Sequence, residues 1–333
     1  MKIHTYAASF GDDLAADYIS RYTRQGDTVL DCFSGLGTTL IQARALGRWS
    51  IGIDVDPLAC LIARVATRQY AKGFLLPFQN EVLAEVANLN NTLVSLNINE
   101  HECSPGDFFN IDDNRVTIPS QPFIGYWFAP VQRAILASLV CLAESYGTAG
   151  FQKADIIKLA VSSSIIRKWP NTISLARDID HSRPHKVNRS DLSIGEQVKI
   201  FEMVFIKTIR VLTQIAEATT NMPAIILQDD VASGLSRIHS GSVDYILTSP
   251  PYYNAIDYPR AHRFSEWWLF ANQTPSSRQN YLGLRSGTSN TTIVREFENM
   301  APISVERMRR LKSECNGEYP TICKYVVDIG IVI

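Results

Sequence analysis

The run of strand, glycine turn, helix and strand between residues 26 and 70 constrains the fold of this chain more than any other feature. An apolar strand (DTVLD) ends at Asp31, the turn CFSGLGT follows it, and the next segment, TLIQARAL, has helical apolar spacing. A second apolar strand (WSIGID) ends at Asp54. Pro57 then begins another helical segment, because proline is tolerated in a first helical turn. This order predicts the start of a doubly wound parallel sheet, an α/β fold.

The same α/β pattern returns near Pro223. The segment AIILQ is a predicted strand that Asp229 and Asp230 follow directly. Residues 243–248 form another predicted strand, which continues into TSPPYYNAIDY. Because proline cannot donate to a strand ladder, this strand must end at the two prolines.

A long region between these two parts has a different pattern. Helical apolar spacing occurs in three segments, at residues 131–144, 153–169 and 194–218. Residues 151–190 carry eight Lys or Arg against three Asp or Glu, a local charge of +5. We therefore predict a mainly helical insertion in one α/β domain. The predicted boundaries are residues 1–70 and 223–333 for the two parts of the domain and 71–222 for the insertion.

Composition excludes several classes of protein. A hydrophobic fraction of 46% with 20% charged residues is typical of a globular protein with a sizeable core, and the net charge of −1 gives no general basic surface. The chain has no apolar run long enough to predict a membrane span, and its start has no apolar core of a signal peptide. Its six cysteines show no metal-binding spacing, which predicts reduced thiols, no metal and a cytoplasmic location.

The glycine turn and the acid after it favour a nucleoside ligand. Gly35 and Gly37 let the backbone approach a ligand without a Cβ, and Asp54 can accept hydrogen bonds from two ribose hydroxyls. A dinucleotide fingerprint has a third glycine where this chain has Thr39 and Leu40, so a ligand without phosphates fits better. S-adenosylmethionine is the common ligand of this kind. The alternative is a tight strand–helix turn that binds nothing.

The acids after the next predicted strand have two interpretations. In such a sheet this edge passes the adenine ring, where a carboxylate can accept from the exocyclic amine. We favour Asp230 over Asp229 for that contact, and either residue can instead cap the following segment.

The segment SPPY suits a substrate with an exocyclic amino group. Pro250 and Pro251 remove two N–H donors, so the turn presents carbonyl oxygens and the Ser249 hydroxyl as acceptors. Hydrogen bonds to fixed acceptors orient an amine toward a methyl donor, and Tyr252 supplies a ring on which a flipped base can stack. The alternative is an ordinary Pro-Pro turn.

Two sets of motifs, VLDCFSGLGTT with GIDVDPLA and SVDYILTSPPYYNAIDY, resemble those of the amino-group DNA methyltransferases. In that family Ser-Pro-Pro-Tyr is mostly associated with cytosine N4, and Asp- or Asn-Pro-Pro-Tyr with adenine N6. The resemblance implies a Rossmann-like seven-stranded sheet that binds S-adenosylmethionine, with Asp54 at its ribose and Asp230 at its adenine. The residues assigned to the cofactor are Asp31, Phe33, Ser34, Gly35, Gly37, Thr38, Asp54 and Asp230. The residues assigned to catalysis are Ser249, Pro250, Pro251 and Tyr252.

The chain departs from the family pattern at its ends and at one turn position. HTYAASFGDD only loosely resembles the family's cofactor-flanking motif, and Cys32 replaces a usual proline. After CKYVVD the chain has only IGIVI, so we expect the last strands of the sheet to be missing. This tail predicts a truncation or frameshift, or a second chain that completes the sheet.

Several basic residues are candidate DNA contacts. Arg177, Arg183 and Lys186 lie on a polar loop of the insertion, which we interpret as the target-recognition region, and Arg260 and Arg263 follow the catalytic motif. The aromatic stripe of Phe264, Trp267 and Trp268 is interpreted as core rather than as a stacking surface. The same turn also contains His262, a candidate phosphate contact.

The sequence therefore predicts a cytoplasmic, nucleoid-associated enzyme that methylates cytosine N4 in DNA, with a restriction endonuclease as a further candidate partner. The alternatives are an adenine-N6 or RNA amino-group methyltransferase and a truncated, non-catalytic protein that binds nucleic acid.

Overall fold

The computed structural model describes most of the chain up to residue 271 and two residues beyond it. The described residues are 3–4, 11–96, 103–111, 114–121, 123–148, 150–167, 170–176, 185–187, 192–251, 258–271, 313 and 323. Tyr252, Arg177 and Arg183 lie outside these ranges, and so does nearly all of the C-terminal segment on which the expectation of missing strands rests.

The N-terminal part folds into the predicted alternation of strands and helices. Its elements are α1 (Asp12–Tyr22), β1 (Thr28–Asp31), α2 (Thr38–Ala45), β2 (Trp49–Asp54) and α3 (Pro57–Thr67). Helix α3 begins at Pro57, as predicted, and Asp56 caps it by accepting hydrogen bonds from the backbone N–H groups of Leu58 and Ala59. After α2, Gly47 takes the left-handed conformation (φ 79°) that commonly ends a helix.

The region predicted to be an insertion, residues 71–222, is mainly helical where the structure describes it, and it also contains a short antiparallel hairpin. Its elements are α4 (Leu75–Ser95), β3 (Phe108–Ile111), β4 (Asn114–Thr117), α5 (Ile124–Trp127), α6 (Pro130–Gly147), α7 (Phe151–Ile165) and α8 (Ile194–Ala218). The three predicted helical segments correspond to α6, α7 and α8, and α8 has the predicted bounds. A capping box fixes its start, because Ser193 Oγ accepts from Glu196 N–H and the Glu196 carboxylate accepts from Ser193 N–H.

The second part of the α/β domain supplies β5 (Ala224–Gln228), α9 (Val231–Ser236), β6 (Tyr245–Ile246) and α10 (Tyr258–Leu269). Strand β6 is shorter than the predicted 243–248. One more ladder bond follows it, from Leu247 N–H to the Leu30 carbonyl at 2.9 Å, and Ser249 and the two prolines then leave the sheet.

Among the described residues, four parallel strands form a sheet in the order β5-β2-β1-β6. Leu30 in β1 lies opposite Ile51 in β2 and Ile246 in β6. The chain leaves β1 for β2 on one side and later returns to pair β6 on the other side. Strand order therefore reverses between β1 and β6, and open α/β sheets bind ligands at the carboxyl ends beside such a reversal.

Helix α3 joins the sheet to the insertion. Ten of its eleven residues are buried, because one side packs near β2 and β5 and the rest belongs to a core shared with insertion helices. That core contains Ile62 of α3, Phe78 of α4, Leu136 of α6, Ile157 of α7 and Phe205 of α8. The insertion is thus packed against the face of the sheet that α3 covers.

Within these ranges no helix has the length and hydropathy that a membrane span requires, and no group of three or more His, Cys, Asp or Glu residues has a metal-binding arrangement.

Candidate cofactor and catalytic site

The glycine turn after β1 is held directly against the acid that ends β2. Gly35 N–H donates to Asp54 Oδ2 at 2.8 Å, and Ser34 N–H donates to the Ile53 carbonyl at 3.0 Å. Gly35 and Gly37 have φ angles of 46° and 80°, in the left-handed region that favours glycine. A Cβ on Gly37 would also lie 3.2 Å from Ala63 Cβ of α3, so a side chain there would be too close to that helix.

The other predicted turn residues have distinct positions. Phe33 packs beside the apolar cluster of Leu30, Ile53 and Val231 on the face of the sheet that α9 covers. The Ser34 side chain is buried against β2, where a Cβ on Gly52 would lie 2.9 Å from Ser34 Cβ. Thr38 is the first residue of α2. The backbone of this turn, rather than the Ser34 side chain, is therefore the part that faces the carboxyl edge.

Asp54 is a half-buried carboxylate at the centre of that edge. Its second oxygen, Oδ1, accepts from Asp56 N–H at 2.9 Å. Burial, together with the negative charges of Asp56 and Asp31, raises the pKa of Asp54 to about 7. Each oxygen accepts one backbone hydrogen bond, and a carboxylate offers about four acceptor positions, so both oxygens keep capacity for further donors.

Asp31, the last residue of β1, is hydrogen-bonded to Thr248, the residue that precedes the Ser-Pro-Pro motif. Its side chain is 1% exposed, and Oδ1 accepts from Phe33 N–H at 3.1 Å and from Thr248 Oγ at 2.7 Å. Burial raises the pKa of this carboxyl group. Thr248 immediately precedes Ser249, so this hydrogen bond fixes where the chain leaves β6. The observed partners of Asp31 are protein groups.

The first three residues of the Ser-Pro-Pro-Tyr motif, the candidate catalytic segment, lie at the same edge of the sheet. Ser249, Pro250 and Pro251 follow β6 and are half-buried, and Tyr252 lies outside the described residues. Because β1, β2 and β6 are parallel, their carboxyl ends bring together the glycine turn, Asp54 and Ser249. This places the two sets of sequence motifs on either side of the strand-order reversal.

The acids that follow β5 make mostly local contacts. Asp230 caps α9, the alternative that the sequence left open: its Oδ1 accepts from Ala232 N–H and Ser233 N–H, both at 3.1 Å. Its Oδ2 accepts from Ser233 Oγ at 2.7 Å. Asp229 accepts from Asp230 N–H and lies 3.6 Å from the guanidinium of Arg237.

A buried pair at the edge had no signal in the sequence. His262 Nδ1 of α10 contacts Asp56 Oδ2, and the two side chains are 3% and 1% exposed. This finding overturns the interpretation of His262 as a phosphate contact. The residues lie 206 positions apart, so local periodicity and spacing cannot reveal the contact.

The structure describes three of the five basic candidates for DNA contact. Lys186 Nζ lies 4.1 Å from the ring centre of Tyr126, whose side chain is exposed. Arg260 is exposed and Arg263 is half-buried. None of these contacts tests DNA binding.

The aromatic stripe of α10 is mainly core, as expected. Phe264 and Trp268 are 6% and 2% exposed, and half-buried Trp267 stacks on Phe123 with ring centres 5.8 Å apart.

The known proteins to which this chain is similar are methyltransferases. Residues 2–64 match the N6_N4_Mtase family model, described as DNA methylase. Type II methyltransferase M.MjaII of Methanocaldococcus jannaschii is 38% identical over 93 residues, which are 27% of this chain and 18% of that protein. Type II methyltransferase M.BsoBI of Geobacillus stearothermophilus is 25% identical over 276 residues, which are 77% of this chain and 50% of that protein. No solved structure matches.

Type II methyltransferase M.MthZI of Methanothermobacter thermautotrophicus is 36% identical over 95 residues, which are 28% of this chain and 22% of that protein. The chain thus spans half or less of the length of these relatives. The matched N-terminal region contains the glycine turn and Asp54. With the parallel sheet and the placement of both motif sets at one edge, these similarities support a relationship of this chain to the amino-group DNA methyltransferases.

Proposed function

We propose that the chain transfers a methyl group from S-adenosylmethionine to the exocyclic N4 of a cytosine in DNA. The observation that carries this proposal is the meeting of Gly35, Asp54 and Ser249 at one sheet edge, with Thr248 bonded to Asp31 between the two motif sets. The Ser-Pro-Pro-Tyr sequence supports cytosine N4 as the methylated position.

The residues at the edge have the chemistry that the cofactor needs. Asp54 has free acceptor capacity for two ribose hydroxyls, and the turn at Gly35 and Gly37 brings backbone close to it. The rest of the proposed set is Asp31, Phe33, Ser34, Thr38 and Asp230, with Asp230 favoured over Asp229 at the adenine amine. When bound, S-adenosylmethionine supplies an electrophilic methyl group.

The protein contributes orientation rather than covalent chemistry. The carbonyl oxygens of the motif and the Ser249 hydroxyl accept hydrogen bonds from the cytosine amino group, which align its nitrogen with the methyl group. Pro250 and Pro251 keep the turn rigid, and Tyr252 stacks on the flipped base. The new N4–methyl bond would form as the sulfur–methyl bond of the cofactor breaks, which leaves a neutral thioether, and N4 would release one proton to water.

DNA is the proposed substrate, and the insertion (residues 71–222) is the proposed target-recognition region. Arg177, Arg183 and Lys186 of the insertion and Arg260 and Arg263 of α10 remain proposed phosphate contacts, since Lys and Arg are the side chains that most often neutralise DNA phosphates.

Mass spectrometry of nucleosides tests the reaction. The purified chain is incubated with S-adenosylmethionine and either plasmid DNA or total RNA, and Ser249→Ala serves as the matched variant. We expect N4-methylcytosine in DNA with the unmodified chain and at least about 100-fold less with the variant. N6-methyladenine without N4-methylcytosine would reassign the methylated base, and product in RNA alone would reassign the substrate. No product from either nucleic acid contradicts the proposal for this chain.

A further inference from the structure

His262 and Asp56 form a buried contact between α10 and the start of α3. The two side chains are 3% and 1% exposed, and His262 Nδ1 contacts Asp56 Oδ2. Asp56 Oδ1 accepts from Leu58 N–H at 2.7 Å and Ala59 N–H at 3.2 Å. One carboxylate therefore caps α3 and holds the imidazole of α10 at the same time.

The surroundings of His262 favour a ring that donates from Nδ1. Burial acts to lower its pKa, but the charge and hydrogen bond of Asp56, with the charges of Glu266 and Asp54, raise it overall. The neighbouring histidine, His4, is neutral, because burial and the charge of His262 lower its pKa to about 3. Within the part of the chain that the structure describes, Asp56, Glu266, Asp54 and His4 are ionisable groups whose charges act on His262 or are affected by it.

A second buried polar contact attaches α10 to α7 and to the N-terminal segment. Ser265 Oγ lies 2.7 Å from Ser162 Oγ of α7, and Ser162 Oγ lies 2.9 Å from His4 Nε2. This contact joins α10 to the insertion and to the N-terminal segment, while His262 joins it to the cofactor edge.

The catalytic motif lies between two such attachments. On its N-terminal side, Thr248 bonds to Asp31 at the end of β1. On its C-terminal side, His262 contacts Asp56, which lies two residues after Asp54 and bonds to it through the backbone. Both attachments end on buried carboxylates of the part that carries the glycine turn.

We propose that His262 is a positioning residue for methyl transfer, which holds the C-terminal side of the catalytic motif in register with the cofactor edge. The proposal rests on the proposed function. The physical basis is that the segment with the catalytic motif is attached on its N-terminal side by Thr248 and on its C-terminal side by His262. Loss of one attachment lets the reacting groups shift, and misplacement by about 1 Å costs on the order of 100-fold in rate. His262 is not proposed to touch the substrate or the cofactor.

Four variants separate this role from a purely structural one. His262→Leu fills similar space without a donor. His262→Asn keeps an amide donor near the position of Nδ1. Asp56→Asn keeps the helix cap through its carbonyl oxygen, and its NH2 group can donate to Nδ1 of a neutral ring that carries its proton on Nε2. Ser265→Ala is the matched control, because it removes a buried polar contact of α10 with α7 and leaves Asp56 untouched.

The measurements are kcat and KM for methyl transfer, calorimetric Kd for S-adenosylmethionine, and amide hydrogen exchange of a peptide covering residues 247–264. For His262→Leu we expect kcat to fall about 100-fold with Kd changed less than about threefold, and faster exchange in the peptide. His262→Asn and Asp56→Asn should recover kcat to within about tenfold of the unmodified chain, and Ser265→Ala should match it.

Unchanged kcat and unchanged exchange in His262→Leu would overturn the positioning role alone. If His262→Leu lowers both the affinity for S-adenosylmethionine and kcat, and His262→Asn restores neither, His262 has a structural role and the positioning role is overturned. If His262→Leu does not fold, the same two measurements on Asp56→Asn and His262→Asn decide. An unmodified chain that makes no product contradicts the proposed function separately, and the exchange of the peptide still decides whether His262 fixes the segment.

Discussion

Carboxylates lie at or just after the ends of β1, β2 and β5, but they make different kinds of contact. Asp31 and Asp56 are buried, and each contacts a side chain more than 200 positions away, Thr248 and His262. Asp230 caps the helix that follows it and bonds within three residues. An acid at a strand end is therefore a weak signal by itself, and its burial decides whether it joins distant segments or caps its own.

The largest expected effect comes from Asp56→Ala, which removes the cap of α3 and leaves His262 buried without its carboxylate. Breaking a buried pair in this way costs about 3–5 kcal/mol. Urea unfolding of the variant against the unmodified chain measures it. A loss of about 1 kcal/mol or less, the value for a simple cap, would remove the distinction between Asp56 and Asp230.

Thr248→Val tests the other buried attachment with a side chain of similar shape. The Asp31 carboxyl group then keeps the Phe33 N–H and the Thr39 hydroxyl as donors and loses the Thr248 hydroxyl. A buried acceptor that loses a partner costs about 1–3 kcal/mol, and we also expect a lower kcat, because Ser249 adjoins the altered residue. Thermal unfolding and the nucleoside assay measure the two effects. If the variant has the unfolding temperature and the kcat of the unmodified chain, the hydrogen bond between Thr248 and Asp31 does not fix the position of the motif.

The pKa of Asp54 predicts a pH dependence of cofactor binding. Its value of about 7 means that the free protein carries a largely protonated carboxyl group at pH 6 and a carboxylate at pH 8. Since the carboxylate is the better acceptor for ribose hydroxyls, affinity should rise about tenfold between these values and level off above pH 8. The raised pKa also makes the free protein less stable as pH rises from about 4 to about 7, because the charged form is disfavoured by folding.

Asp54→Asn is the control for that dependence, since an amide does not titrate. Asp56, Asp31 and His262 act on Asp54 and remain in the variant, so a residual slope in Asp54→Asn would assign the pH dependence to one of them. Calorimetry at pH 6, 7 and 8 with both proteins is the measurement.

The smallest expected effect is that of Asp230→Ala, which removes the cap of α9. We expect a loss of about 1 kcal/mol in unfolding free energy. If cofactor affinity falls more than about tenfold as well, the adenine contact belongs to Asp230; if it does not, Asp229→Asn is the next variant to examine.

Local features of the fold could be predicted from the sequence. The bounds of α8, the start of α3 at Pro57 and the parallel strands β1 and β2 follow from apolar periodicity and capping chemistry. The hairpin of β3 and β4 is not among the predicted elements, because each strand has only four residues and five of the eight are exposed, which leaves the periodic signal of a strand too short to recognise. Helix α4 (Leu75–Ser95) was also not among the predicted segments.

The parts of the site that are continuous stretches of sequence could be predicted. The glycine turn with Asp54, and the Ser-Pro-Pro motif, could be placed at one edge because parallel strands end together. The partners of Asp31 and Asp56 could not be predicted, since they depend on how β6 and α10 pack. For the same reason His262, beside two arginines on a basic turn, was interpreted as a phosphate contact although it is buried.

A calorimetric titration with S-adenosylmethionine, on the unmodified chain and on Asp54→Asn at pH 8, tests most directly whether the edge built around Asp54 is a cofactor site. The account predicts one saturable site in the unmodified chain and affinity at least about tenfold lower in the variant, since the amide loses acceptor capacity for the ribose. No binding at millimolar ligand, or equal affinity in both proteins, would contradict it.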